Sequence, residues 1–180
     1  MTSLTPPIET LAPVVSAASG RQPETDEFRA TVVEADEGRV VIAVPGTEYR
    51  LWLRPISPLP AIRARLGRRI AGRVAGRALR LHPAAAGGRF IEPIDGVPRI
   101  VQGAVLAVDG SRRSVLLDVG IPIRLELLVD QPLESFAPGS LWNCYIESGA
   151  TFAAAGEPAD ETAGGAGALS AGDHRGAARP

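Results

Sequence analysis

The sequence predicts an all-β protein with minor α content: a tandem of two duplicated small β-barrels, OB-like, between disordered termini. Three observations carry that expectation. Short runs of alternating apolar residues are bounded by Gly, Pro and Asp, which is the patterning of strands and tight turns. The pattern recurs once, at an offset of 72 to 74 residues, as the pairs Ala30/Gly103, Gly46/Gly120 and Gly67/Gly139 define it. Both ends of the 180-residue chain are poor in large apolar side chains, so they cannot offset the entropy of ordering.

The repeat is legible residue by residue. "ATVVEAD" from Ala30 aligns with "GAVLAVD" from Gly103, and "VVIAVPGTEYRLWL" aligns with "SVLLDVGIPIRLELL". Arg50 falls on Arg124, Leu51 on Leu125 and Pro58-Leu59 on Pro132-Leu133. Each copy opens with a strand (28–35; 100–108) and a turn at Asp36-Glu37-Gly38 or Asp109-Gly110, residues suited to hairpin reversal. A second strand (39–44; 114–119) turns at Pro45-Gly46 or Gly120 into a third (48–54; 122–128). A proline-flanked segment then leads to a fourth strand (69–75; 141–147) and a less distinct fifth.

Residues 61–81, "AIRARLGRRIAGRVAGRALRL", also fit a basic amphipathic helix. Gly67, Gly72 and Gly76 oppose that, each costing ~1 kcal/mol in a helix interior. The aligned "FAPGSLWNCYIESGATF" has strand chemistry, so at most two helical turns are expected before Gly67 and strand from Arg68 onward. Five short strands with a helical insert after the third is the order of an OB-fold, with an SH3-like or split barrel as the alternative. The organisation expected is a tail over 1–27, a basic barrel over 28–92, a linker over 93–98, an acidic barrel over 99–153 and a tail over 154–180. Arg89-Phe90-Ile91 is expected to close the first barrel. Barrels this small sit near the lower limit of self-sufficiency, so the two are expected to pack together or the chain to form a homo-oligomer.

Several chemistries are excluded by composition. His82 and His174 are the only histidines and Cys144 the only cysteine, too few for a catalytic triad or a Cys/His zinc site. Cys144 alternates with Trp142 and Ile146, which makes it a buried inert thiol. No glycine-rich phosphate loop occurs, and Asp36, Asp95 and Asp109 neighbour glycines, where they serve turns. The chain is therefore read as non-enzymatic, with no catalytic residue, no metal and no cofactor. The N-terminus makes a poor signal peptide, and no apolar run approaches the ~20 residues that span a bilayer. A cytoplasmic protein without a membrane partner is the expectation.

Charge supplies the positive signal. All 19 basic residues are arginine, which a G+C-rich coding sequence explains, and overall net charge is −1. Residues 28–89 hold twelve arginines and four acids, net +8; residues 90–152 hold four arginines and eight acids, net −4. In "EYRLWLRP", Arg50, Trp52 and Arg54 share one strand face, and Arg69, Arg73 and Arg77 share another. Single-strand-binding barrels combine cationic grooves with aromatic platforms, so these six residues are the candidate nucleic-acid contacts. The matching second-copy face has Arg124 and Glu126 and no aromatic. The competing expectation is a structural protein–protein module, in which Trp52 packs between the barrels or in a dimer and the partner is an acidic protein surface.

"RLGRR", from Arg65 to Arg69, and "DGSRRS", from Asp109 to Ser114, together resemble the PilZ family of cyclic-di-GMP-binding barrels. That resemblance implies a cyclic-dinucleotide-binding barrel as a remote alternative. The second motif lacks the family's final glycine, and the two motifs fall in different copies.

Overall fold

The computed structural model describes residues 26–155. The expected tails therefore lie outside the described residues, apart from Asp26, Glu27, Ala154 and Ala155. The described chain is mostly β-sheet. The first half contributes β1 (Phe28–Ala35), β2 (Val40–Ala43), β3 (Arg50–Pro55), the short helix α1 (Leu59–Arg63) and the long β4 (Arg69–Pro83). Two short strands follow, β5 (Phe90–Glu92) and β6 (Asp95–Gly96). The second half contributes β7 (Ile100–Asp109), β8 (Ser114–Asp118), β9 (Pro122–Glu126), a 3-10 turn at Leu133–Ser135, β10 (Leu141–Ile146) and β11 (Thr151–Ala154).

The helix is as short as its sequence requires. Pro60 fits its first turn, where no N–H is needed, and Ile62 is its one buried side chain. Gly67, at φ +69°, then turns the chain into β4. From Arg69 the chain is extended for 15 residues, so the helical reading of this region is excluded.

The pairings form two circuits that share β4. β1, β2 and β3 make an antiparallel meander, β3 pairs β11 in parallel, β11 pairs β4, and β4 returns to β1. β7, β8 and β9 make a second meander, β9 pairs β4 in parallel, β4 pairs β10, and β10 returns to β7. The circuits are uneven: β3 meets β11 only at Arg54↔Thr151 and Pro55↔Phe152, whereas β8 and β9 are paired from Ser114↔Glu126 to Asp118↔Pro122. Successive parts of β4 serve different partners, and Val74 and Ala75 pair β9 and β11 at once. The C-terminal part of β4, from Val74, serves β9 and β10, while β11 at the end of the second half serves β3 and β4.

Two local expectations are corrected. Phe90 and Ile91 pair with Gln102 and Val101 of β7, so this strand extends the second meander and does not close the first. The cause is the buried Gln102, whose amide nitrogen donates to the carbonyls of Ala86 and Gly88 and draws the preceding loop over β7. Within the stretch read as a linker, Asp95 and Gly96 pair in parallel with Arg50 and Leu51.

The halves share local geometry at aligned positions. Gly46 and Gly120 both have positive φ, as do Gly67 and Gly139. The first strand of each half bulges at the same place, between Val32 and Glu34 and between Val105 and Ala107. Beside each bulge the same two bonds form. Val32 donates to Arg68 and accepts from Gly67; Val105 donates to Ser140 and accepts from Gly139.

One continuous core runs through both halves, from Ala30 and Val32 to Ile146 and Phe152. Phe152 of β11 is fully buried, and its ring lies so close to Gly72 that an added Cβ would sit 2.3 Å from it. Gly72 is therefore where β11 is admitted. Cys144 is fully buried, and desolvation pushes its thiol up to about 12, as expected of an inert core cysteine.

Candidate nucleic-acid interface

In β3 the alternation is strict: Leu51 and Leu53 are buried while Arg50, Trp52 and Arg54 point outward. In β4, Ile70, Gly72 and Val74 face the core, and Arg69, Arg73 and Arg77 are exposed. The two sets are separated by β11, whose paired residues align Arg54, Thr151 and Ala75 in one row. Thr151 is small, so nothing bulky stands between Arg54 and the outer face of β4.

Two grooves result. Arg54 and Arg77 line one of about 390 Å³, together with Glu126, Glu147 and the Ser148-Gly149 turn. Arg69 lines another of about 660 Å³ with Arg29, Arg65 and Ser57. Glu27, also at this second groove, is ion-paired with Arg73.

The six candidates differ in how free their charges are. Arg73 is held by Asp26 at 2.8 Å and by Glu27. Asp26 also binds Arg124 at 2.9 Å, so one carboxylate ties β4 to β9. Arg77 meets Glu147 at 3.5 Å. Arg50, Arg54 and Arg69 have no ion pair among the described residues.

Trp52 lies at the surface, 36 % exposed. Its Nε1 donates to Asp95 at 2.8 Å, and the Arg39 guanidinium lies 4.6 Å from its ring centroid. Beneath it, its cross-strand partner Val41 is almost fully buried. Asp95 and Arg39 were not singled out in the sequence. Asp95 read as a turn residue, and Arg39 lies just before β2, where the β2–β3 pairing brings it to the indole.

The resemblance to PilZ motifs finds no common site. The groove that holds Arg65 and Arg69 includes none of residues 109–114. Asp109 accepts from Ser111 and Arg112, contacts that hold its carboxyl below the usual value and close the β7–β8 turn. Arg113 donates to the carbonyls of Leu128, Val129 and Gln131, each at 2.9 Å.

Among the described residues no group of three His, Cys, Asp or Glu side chains could hold a metal ion, and no helix is long and apolar enough to cross a membrane. Compared with known proteins, the chain matches no family model, no curated protein and no solved structure.

Proposed function

We propose that this protein is a non-enzymatic binding module whose ligand is single-stranded nucleic acid, held on the arginine-rich outer face of its first half. The observation that carries the reading is the row Arg54–Thr151–Ala75, which makes the β3 and β4 arginine faces one surface. Arg54 and Arg77 then flank a groove, and Arg29, Arg65 and Arg69 a second, at a scale suited to phosphates along a strand. The finer fold reading is a pair of OB-like barrels descended from a duplication. It is supported by the matched bulges, glycines and hydrogen bonds and by a meander closed through a parallel strand in each half. OB-folds take oligonucleotides on the face of their second and third strands, which here is where Arg50, Trp52 and Arg54 stand.

The test is electrophoretic mobility of a labelled single-stranded oligonucleotide with micromolar protein at low salt. Binding should fall steeply as salt rises, with a log–log slope of about −0.7 per phosphate neutralised. An unshifted oligonucleotide removes the reading.

A second reading, a protein–protein module, is favoured by one observation: Arg73 and Arg77 already engage Asp26, Glu27 and Glu147. It predicts capture of an acidic protein surface, or self-association, with no affinity for oligonucleotides.

A further inference from the structure

The long strand β4 belongs to both circuits, so its outer face carries a rail of arginines across both halves, of which Arg73 and Arg77 are already ion-paired. Arg69, Arg73 and Arg77 recur every four residues. A register shift beside Tyr145/Ile146 then restores the outward phase at Arg80 and His82. At a strand rise of ~3.3 Å, at most about 36 Å of strand separates Arg69 from Arg80. Arg80 is exposed and has no ion pair among the described residues.

Opposite Arg80, in register on β10, stands Tyr145. Directly paired residues project from the same face, so the phenol and the guanidinium are neighbours. Trp142, Cys144 and Ile146 are buried on the other face, and Tyr145 is 44 % exposed. Among the described residues its hydroxyl has no hydrogen-bond partner and its ring no stacking partner or cation. The loop drawn down by Gln102 covers the other end of this face, where Asn143 donates to Gln102. The Tyr145 end stays open. Trp52, by contrast, already has Arg39 against its ring and Asp95 on its nitrogen.

We infer that single-stranded nucleic acid passes along β4 from the first half onto the second, with Tyr145 as the base-stacking side chain and Arg80 as the phosphate contact beside it. This rests on the nucleic-acid reading above and extends it to a residue of the acidic half. A base needs a π-face and an adjacent cation for its phosphate, and the Tyr145–Arg80 pair supplies both.

The test uses the full chain and a labelled oligothymidylate of about 12 nucleotides, a length within the span one such fold covers. Tyr145→Ala should weaken binding about five- to a hundredfold, and Tyr145→Phe should restore most of it. Arg80→Ala should weaken binding and lower the salt slope by about 0.7. Ultraviolet crosslinking of the unaltered chain to the same oligonucleotide should mark Tyr145, which keeps the test decisive if a variant misfolds. If the unaltered chain binds with a steep salt slope but crosslinks only at Trp52, or Tyr145→Ala folds and binds normally, the rail is overturned while the nucleic-acid reading stands. If the unaltered chain does not bind, both fall.

Discussion

Arg50 and Arg124 occupy the same aligned position in the two halves, yet their surroundings are opposite. Arg50 is exposed and without an ion pair among the described residues. The Arg124 side chain is 23 % exposed, bound by Asp26 and bonded to Ser114. Two residues further on, Trp52 stands where the second half has Glu126. The two meanders keep matching turn glycines and the same bulge, while the residues beside the shared arginine differ, Trp52 in one and Glu126 in the other. An arginine count thus says little about a surface. What matters is which guanidiniums the fold has already supplied with carboxylates.

The comparison breaks most readily at β11. Phe152 is numbered in the second half but packs on Gly72 of the first, fully buried. Phe152→Ala should cost about 3–5 kcal/mol in chemical denaturation and loosen the first half first. Gly103→Ala should also be severe, because its Cβ would lie 2.3 Å from the backbone oxygen of Asp118, which cannot move as a side-chain tip can. A loss of several kcal/mol is expected, of order 3 kcal/mol.

Asp26 sharpens the comparison at the next scale. Asp26→Ala leaves Arg124 without a carboxylate and frees Arg73 of one of its two, so a stability loss of about 1–3 kcal/mol is expected. Oligonucleotide affinity should rise slightly in the same variant, because Arg73 keeps only the Glu27 carboxylate.

The thiol gives a pH signature in the alkaline range. The unfolded thiol ionises near 9.0 and the folded one at about 12. Between these values the unfolded state has lost a proton that the folded state keeps, so stability should fall as pH rises through that window. At pH 8 a disulfide reagent should react with Cys144 only after denaturation. The smallest effect belongs to Asp109, whose carboxyl is held below 3.8 by its turn contacts. Its contribution is present above the unfolded value and is lost as pH falls through the folded one, so Asp109→Asn should flatten the acid limb of a stability profile slightly.

Strand faces and turns were legible in the sequence because they are local. Alternation in "RLWLR" and the glycines at 46, 67, 120 and 139 report face and φ directly. Partner choice is not local. Nothing in "TFAA" says that Phe152 will pack on Gly72, and the pairing of Phe90 with β7 depends on where the Gln102 amide ends up. The state of the cationic face was hidden for a related reason, since Asp26 and Glu27, which hold Arg73, lie in a stretch that reads as tail. Tyr145 was recoverable. It is out of phase with Trp142, Cys144 and Ile146, which is the signal of an outward side chain.

β11, from the end of the second half, joins β3 to β4, and residue-resolved hydrogen exchange of Phe152→Ala tests that placement most directly. The amides of Arg54 and Ile56, which donate to Ala150 and Phe152, should lose protection together while Leu117 and Ile123 keep theirs. Loss of protection confined to residues 100–146, with Arg54 and Ile56 unchanged, would contradict it.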